Sequence, residues 1–286
     1  MHVGAEKCCF LSSRFWGRGG VAKPGCGFTR SMRCPMNVRI ASLVPSLTEL
    51  LFALGLGPWV VARTGFCIHP DEAAAVPKVG GTKDVNLAKL RRLAPTHALV
   101  NIDENRSETA DALREFVPQV VVTHPCGPDE VEALIHQIAD TFAALPGVAE
   151  RAAALRAELR AELAAMTARA DVPVLYLIWR EPWMTVARDT YISRLLACAG
   201  WRTLPAQEGG EQGAARYPTL GGHEPWLADV REVLLSSEPY AFTSEHIAQA
   251  QALCPQARVR LVDGELLSWY GPRTAAGLRY LRELSR

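Results

Sequence analysis

The sequence predicts an α/β protein built as two three-layer lobes joined by a single long rigid helix, with a ligand cleft between the lobes. Three observations lead there. Short apolar runs alternate with helix-period segments over residues 38–144. The same alternation restarts beyond residue 170. Between them, residues 147–170 are dense in Ala, Leu, Glu and Arg, all strong helix formers, with no Gly or Pro after Gly147.

Val38 to Leu43 reads as a short strand. Pro45 follows, and Ser46 with Glu49 three residues later predicts a capping box for a helix whose Leu47, Leu50, Leu51 and Leu54 recur at helical spacing. Gly55 and Gly57 offer a left-handed stop, and Trp59 to Ala62 reads as a second strand, parallel to the first because a helix connects them. Asn86 to Leu93 is then expected as helix, Ala98 to Val100 as strand, Ser107 to Phe116 as helix, Val120 to Val122 as strand and Pro128 to Ala144 as helix. The segment 147–170, at ~1.5 Å per residue, would form a rod of roughly 35 Å. Such a rod suits a surface arm, or a strut holding two separately folded halves apart; the α/β pattern on both sides favours the strut. Beyond it, Val174 to Trp179 is a strand, and Asp189-Thr190 caps a helix through Ala199. A short helix over Trp226 to Val230, a strand over Val233 to Ser236 and a helix over Ser244 to Leu253 follow. Arg258 to Val262 is the last strand and Thr274 to Leu284 the closing helix.

The chain has 286 residues, 49% of them hydrophobic and 21% charged, which allows a sizeable core. A net charge of +1 gives no reason to expect nucleic acid, and no apolar run reaches the ~20 residues needed to span a bilayer. Residues 1–35 stand apart: six Lys/Arg against one Glu, four of the eight cysteines (Cys8, Cys9, Cys26 and Cys34) and no hydrophobic period. They read as a disordered extension or a start placed too early, with Met36 the true beginning, and lack the apolar core of a secretory signal. The expected organisation is therefore residues 36–144 as the first lobe, 145–170 as the interlobe helix and 171–286 as the second lobe. As written, without a signal segment, the chain is expected in the cytoplasm. Cys67, Cys126, Cys198 and Cys254 are scattered, which fits a reducing compartment rather than a disulfide framework.

In open parallel sheets, ligands sit outside the carboxyl ends of the strands. The first lobe offers Phe66 to His69, Lys83, Glu104 and Arg106 there, and the second offers Trp179, Arg180, Trp183, Glu238 and Tyr240. Near the C-terminus, Asp263-Gly264-Glu265 leads to Trp269-Tyr270 and then to Gly271-Pro272-Arg273. Large aromatics beside a Gly-Pro turn suit a partly exposed wall, although they also suit a core. Five of the seven tryptophans lie beyond the rod. Aromatics from both lobes imply a cleft for something large and partly flat.

Two alternatives stand beside simple binding. Cys67-x-His69 and His124-x-Cys126 place two thiols and two imidazoles at adjacent strand ends, a possible zinc set for a metal-binding protein or metalloenzyme. The plainer account buries Cys67 and Cys126 as small residues and lets His69 cap a turn before Pro70. Catalysis has less to support it. No nucleophile elbow or phosphate loop is present, and Gly80-Gly81-Thr82-Lys83 lacks the preceding glycine and following helix of a P-loop. The chain is expected not to be an enzyme.

The run from Arg39 to Leu56, with Val79-Gly80 and Asn86-Leu87, resembles the opening of the vitamin B12-binding proteins of ABC importers. These belong to the helical-backbone periplasmic-binding-protein superfamily, with siderophore and haem receptors. The resemblance covers roughly residues 37–285 and includes the single interlobe helix. It implies a binding protein for a corrinoid (cobalamin-like) or other metal-chelate ligand, without covalent cofactor and monomeric, linked to an ABC permease and periplasmic by analogy. It puts the Phe66–His69 loop, Trp183-Met184, Tyr217 and Asp263 with Trp269 at pocket-wall positions. It also implies transporter docking through two glutamates, of which the first falls at Ala88 and the second at Glu224.

Overall fold

The computed structural model describes residues 37–167 and 171–286. The expected extension at 1–35 and the last three residues of the expected interlobe helix lie outside the described residues. Among the described residues, eight parallel strands form two sheets. The first contains β1 (Ile40–Ser42), β2 (Val60–Arg63), β3 (His97–Asn101) and β4 (Gln119–Thr123) in the order β2-β1-β3-β4. The second repeats that plan with β5 (Val172–Leu177), β6 (Trp201–Thr203), β7 (Glu232–Ser236) and β8 (Arg258–Val262) in the order β6-β5-β7-β8. Central strands are buried on both faces, all five residues of β3 among them, as a parallel sheet covered by helices requires.

The helices of the first lobe are α1 (Pro45–Ala53), α2 (Leu87–Arg92), α3 (Ser107–Arg114) and α4 (Val131–Thr141). The capping box expected at Ser46 and Glu49 does not form. Val44 is the N-cap without a side-chain bond, and Pro45 takes the first helical position, where its fixed φ and missing N–H cost nothing. Ser46 is thereby buried in the helix, and Glu49 is free to reach Arg273 at 2.7 Å. Asn86 does cap α2, accepting from the Lys89 N–H at 2.8 Å.

The interlobe helix α5 (Val148–Ala164) is 17 residues long, about 25 Å, and stops six residues before the expected end. Helical propensity runs on past Ala164, but the chain must turn back to enter β5 at Val172, and tertiary demand overrides propensity. Val148, Ala152 and Leu159 form its buried stripe. Charged clamps fix it to both lobes: Arg156 reaches Glu132 of α4 at 2.7 Å. On the other side Glu162 meets both Arg279 and Arg282 at 2.9 and 3.0 Å. Those arginines belong to α9 (Arg273–Leu284), which follows α6 (Tyr191–Ala197), α7 (Ile247–Leu253) and α8 (Gly264–Ser268).

The lobes are less separate than a strut alone would leave them. One apolar cluster runs from Leu99 and Val121 of the first sheet through Ala152 and Leu159 of α5 to Val174, Tyr176 and Leu234 of the second. The halves therefore share a core on the α5 side and face each other across a cavity at their strand ends. Strand β6 and the one-turn helix α8 were not expected. Three residues are too few for a periodic signal, and so are the five of α8.

Candidate functional site

The carboxyl ends of the strands from both sheets enclose a cavity of about 640 Å³. Nine of the expected residues line it. Phe66, Lys83 and Glu104 come from the first lobe; Trp179, Met184, Tyr217, Glu238, Trp269 and Tyr270 come from the second. Phe66 is 63% exposed and Trp179 41%, high values for such side chains, so apolar surface stands open at the rim. Tyr270 corrects the expectation of partial exposure. It is buried, with its hydroxyl donating to Glu104 Oε1 at 3.1 Å across the lobes. Gly271, at φ +97°, turns the chain directly after it, against Ser46 and Leu50 of α1.

Six expected residues lie outside the cavity, and each has a physical reason. His69 points behind the wall to Glu265 at 3.2 Å and meets Trp269 edge-on at 5.6 Å. Tyr240 packs edge-on against Trp179 at 5.5 Å with its hydroxyl and the His246 Nε2 3.1 Å apart, so it supports that wall residue from the rear. Trp183 stacks on Phe242, 6.0 Å away with the rings 5° from parallel. Arg180 pairs with its neighbour Glu181, and Arg106 with exposed Asp84. Asp263 caps α8, accepting from the Leu266 N–H at 3.0 Å.

Trp269 is held from several sides. The Arg273 guanidinium lies 5.1 Å from its ring centroid, in cation–π range, and bonds Glu49 at 2.7 Å and Glu265 at 3.0 Å. Glu265 in turn meets His69. The acids and the arginine around Trp269 thus form a brace that spans both lobes.

The proposed Cys/His metal set does not assemble. Cys67 is buried with its Sγ 3.1 Å from Thr64 Oγ1, and burial pushes its thiol up, towards the neutral form. His69 is turned to Glu265, as above. His124 and Cys126 contact each other at 3.4 Å, beside Asp103 and Arg216. Among the described residues no three His, Cys, Asp or Glu side chains are grouped to hold a metal ion.

Arg216 carries no sequence signal and was missed. Only 1% exposed, it grips Asp103 of the opposite lobe, with Nε 2.7 Å from Oδ1 and Nη2 donating to Oδ2 at 3.0 Å, and Asp189 lies 3.7 Å away. The Nη2 bond is charge-assisted, and Nε adds only a close ion-pair contact without hydrogen-bond geometry. Glu224, the expected docking residue, accepts the backbone N–H of Gly222 at 2.9 Å and that of Gly221. Burial raises its pKa, but these bonds bring it below the usual range. Its carboxylate is therefore a staple of its own loop.

The cavity's electrostatics follow from burial. Burial pushes the Glu104 carboxyl up to about 7, against the opposing pull of the Tyr270 hydrogen bond and the Lys83 charge. Glu238 is raised by burial and then by the nearby Glu265, and burial lowers Lys83. Lys83 Nζ donates to the Asp103 carbonyl at 2.7 Å.

A periplasmic binding protein family model matches residues 40–218, more than half of the chain. The vitamin B12-binding protein of Pectobacterium atrosepticum is 27% identical over 250 residues, covering 82% of this chain and 84% of that protein. An uncharacterized ABC transporter substrate-binding lipoprotein of Bacillus subtilis is 23% identical over 264 residues, covering 86% and 79%. Among solved structures, the periplasmic vitamin B12 binding protein of Vibrio cholerae superposes with a TM-score of 0.72 at 20% identity, covering 87% of this chain and 98% of the other. A periplasmic heme-binding protein of Roseiflexus sp. RS-1 gives 0.68 at 22% identity, covering 87% and 99%.

Proposed function

Because the chain belongs to the periplasmic binding protein family, we propose that it is the ligand-capturing component of an ABC-type uptake or salvage system and that its ligand is a corrinoid or a similar metal chelate. The observation that carries this reading is the cavity walled by aromatics of both lobes. At about 640 Å³ it falls in the range of small-molecule sites, and Phe66, Trp179, Tyr217 and Trp269 offer apolar faces to a large, partly flat ligand. The shared core and the clamped α5 keep the two walls in place before the ligand arrives, so little ordering cost opposes binding.

Among the described residues the metalloenzyme alternative has no grouped ligand set to support it, and none of their His or Cys side chains lines the cavity. A cytoplasmic location finds no support either, since matched relatives are described as periplasmic or as a lipoprotein. Export to the face where such receptors work follows from the family reading. Delivery to a permease would engage the outer ends of the two lobes. The Glu224 side chain is a candidate there only in addition to its role in its loop.

The test is a titration of the purified protein with cyanocobalamin, dicyanocobinamide, haem and ferric siderophores, read by tryptophan quenching and by the ligand's visible spectrum. Saturable one-to-one binding of a corrinoid at micromolar concentration or below is expected. Absence of saturable binding by every one of these chelates overturns the reading.

A further inference from the structure

The charged groups around the cavity are unevenly distributed. Lys83, Asp103, Glu104 and Glu238 line it, one cation against three acids. Asp103 is neutralised from behind by Arg216 at 2.7 Å. Glu104 and Glu238 enter from opposite lobes. Among the described residues no arginine lines the cavity, and those near it pair with acids, Arg106 with Asp84, Arg180 with Glu181, and Arg273 with Glu49 and Glu265. Arginine is the side chain best shaped to receive a carboxylate, and the cavity wall offers none among the described residues.

We infer that Glu104 and Glu238 set the charge class of the ligand, admitting a macrocycle whose periphery carries amides or positive charge and rejecting one whose periphery carries carboxylates. This rests on the reading of the cavity as a macrocycle site. A peripheral carboxylate entering here would meet two acids and a single ammonium, in a partly dry space where like charges repel more strongly than in water. A primary amide of the same shape would instead donate its N–H groups to those acids, which as ionised carboxylates act only as acceptors. The selection is therefore made by repulsion of the wrong ligand as much as by attraction of the right one.

Two corrinoids of one ring and opposite periphery test this: dicyanocobinamide, with side-chain amides, and dicyanocobyrinic acid, with the corresponding carboxylates. Affinities are measured at pH 8 by tryptophan quenching, for the natural chain and for Glu104→Gln, Glu238→Gln and the double variant, each checked by far-UV circular dichroism. The natural chain should prefer the amide by at least tenfold. The double variant should shrink that ratio by tenfold or more, with the acid binding more tightly and the amide less tightly. The single variants should move in the same directions, and they decide the matter if the double variant does not fold. Equal affinity for both corrinoids in the natural chain, or a ratio unchanged by the substitutions, overturns the inference while leaving the cavity reading intact. Failure of both corrinoids to bind overturns this inference, and the cavity reading then stands or falls with the haem and siderophore titrations.

Discussion

Glu104 should make the ligand-free protein less stable as the pH rises through neutrality, and Glu104→Gln should abolish that loss. In the unfolded chain its carboxyl releases a proton near 4.5, whereas in the folded cavity it holds that proton to about 7. Below 4.5 both states are protonated and Glu104 contributes no difference. Between the two values only the unfolded chain ionises, which favours unfolding. Above 7 both are ionised, and the accumulated penalty levels off. At about 1.4 kcal/mol per pH unit, the gap corresponds to about 3 kcal/mol. Glutamine keeps the shape, accepts the Tyr270 hydrogen bond and never ionises, so it has no such penalty. Other titrating groups remain in both proteins, so the difference between variant and natural chain isolates this one. Urea unfolding in steps from pH 4 to pH 8.5 should show the variant gaining about 3 kcal/mol relative to the natural chain, mostly between pH 4.5 and pH 7. In melting temperature that is roughly 6–12 °C for a chain of this size. A stability difference that stays flat across the range, or that shrinks as pH rises, would refute the assignment of a buried, proton-retaining carboxyl to this cavity.

Other substitutions probe the remaining parts of the architecture. Asp103→Asn removes the charge that faces Arg216 and leaves a 1%-exposed guanidinium whose nearest remaining acid is the more distant Asp189. A loss of about 3–5 kcal/mol in urea unfolding is expected, as for breaking other buried pairs. Gly277→Ala should cost about 1–3 kcal/mol in the same assay, because the new Cβ would collide with the Leu266 carbonyl oxygen where α9 crosses α8. Trp269→Ala should weaken corrinoid binding by fivefold or more, about 1 kcal/mol or above, in the fluorescence titration.

The fold was legible because its central strands are apolar runs buried on two faces and its connections are short, so alternation gave every described strand but β6. A cap was legible where a side chain had no competitor, as at Thr190, whose hydroxyl accepts from the Ser193 N–H. Ser46 failed because Pro45 beside it is a stronger start signal. The end of α5 failed because nothing in an Ala-rich run marks where the chain must turn into β5. In both cases a local preference was read correctly and then outweighed by a neighbour or by the tertiary path.

The site was legible in kind, while the direction in which its side chains point was not. Aromatics at strand ends marked the cavity, yet Trp183 faces Phe242 while the adjacent Met184 faces the cavity. The bridge between Trp179 and Met184 explains that division, since neighbours on an extended segment point to opposite sides. His69, Tyr240 and Arg273 were drawn to the site by their chemistry, and two of them were expected to touch the ligand. In the structure they stand one layer back, His69 and Arg273 on Trp269 and Tyr240 on Trp179. A wall residue such as Trp269 can remain 5–6 Å from partners of both lobes only if those partners are themselves fixed, and Glu49 and Glu265 fix them. The acids and the arginine around Trp269 therefore act on the ligand through the position of one indole, which a sequence pattern cannot distinguish from direct contact.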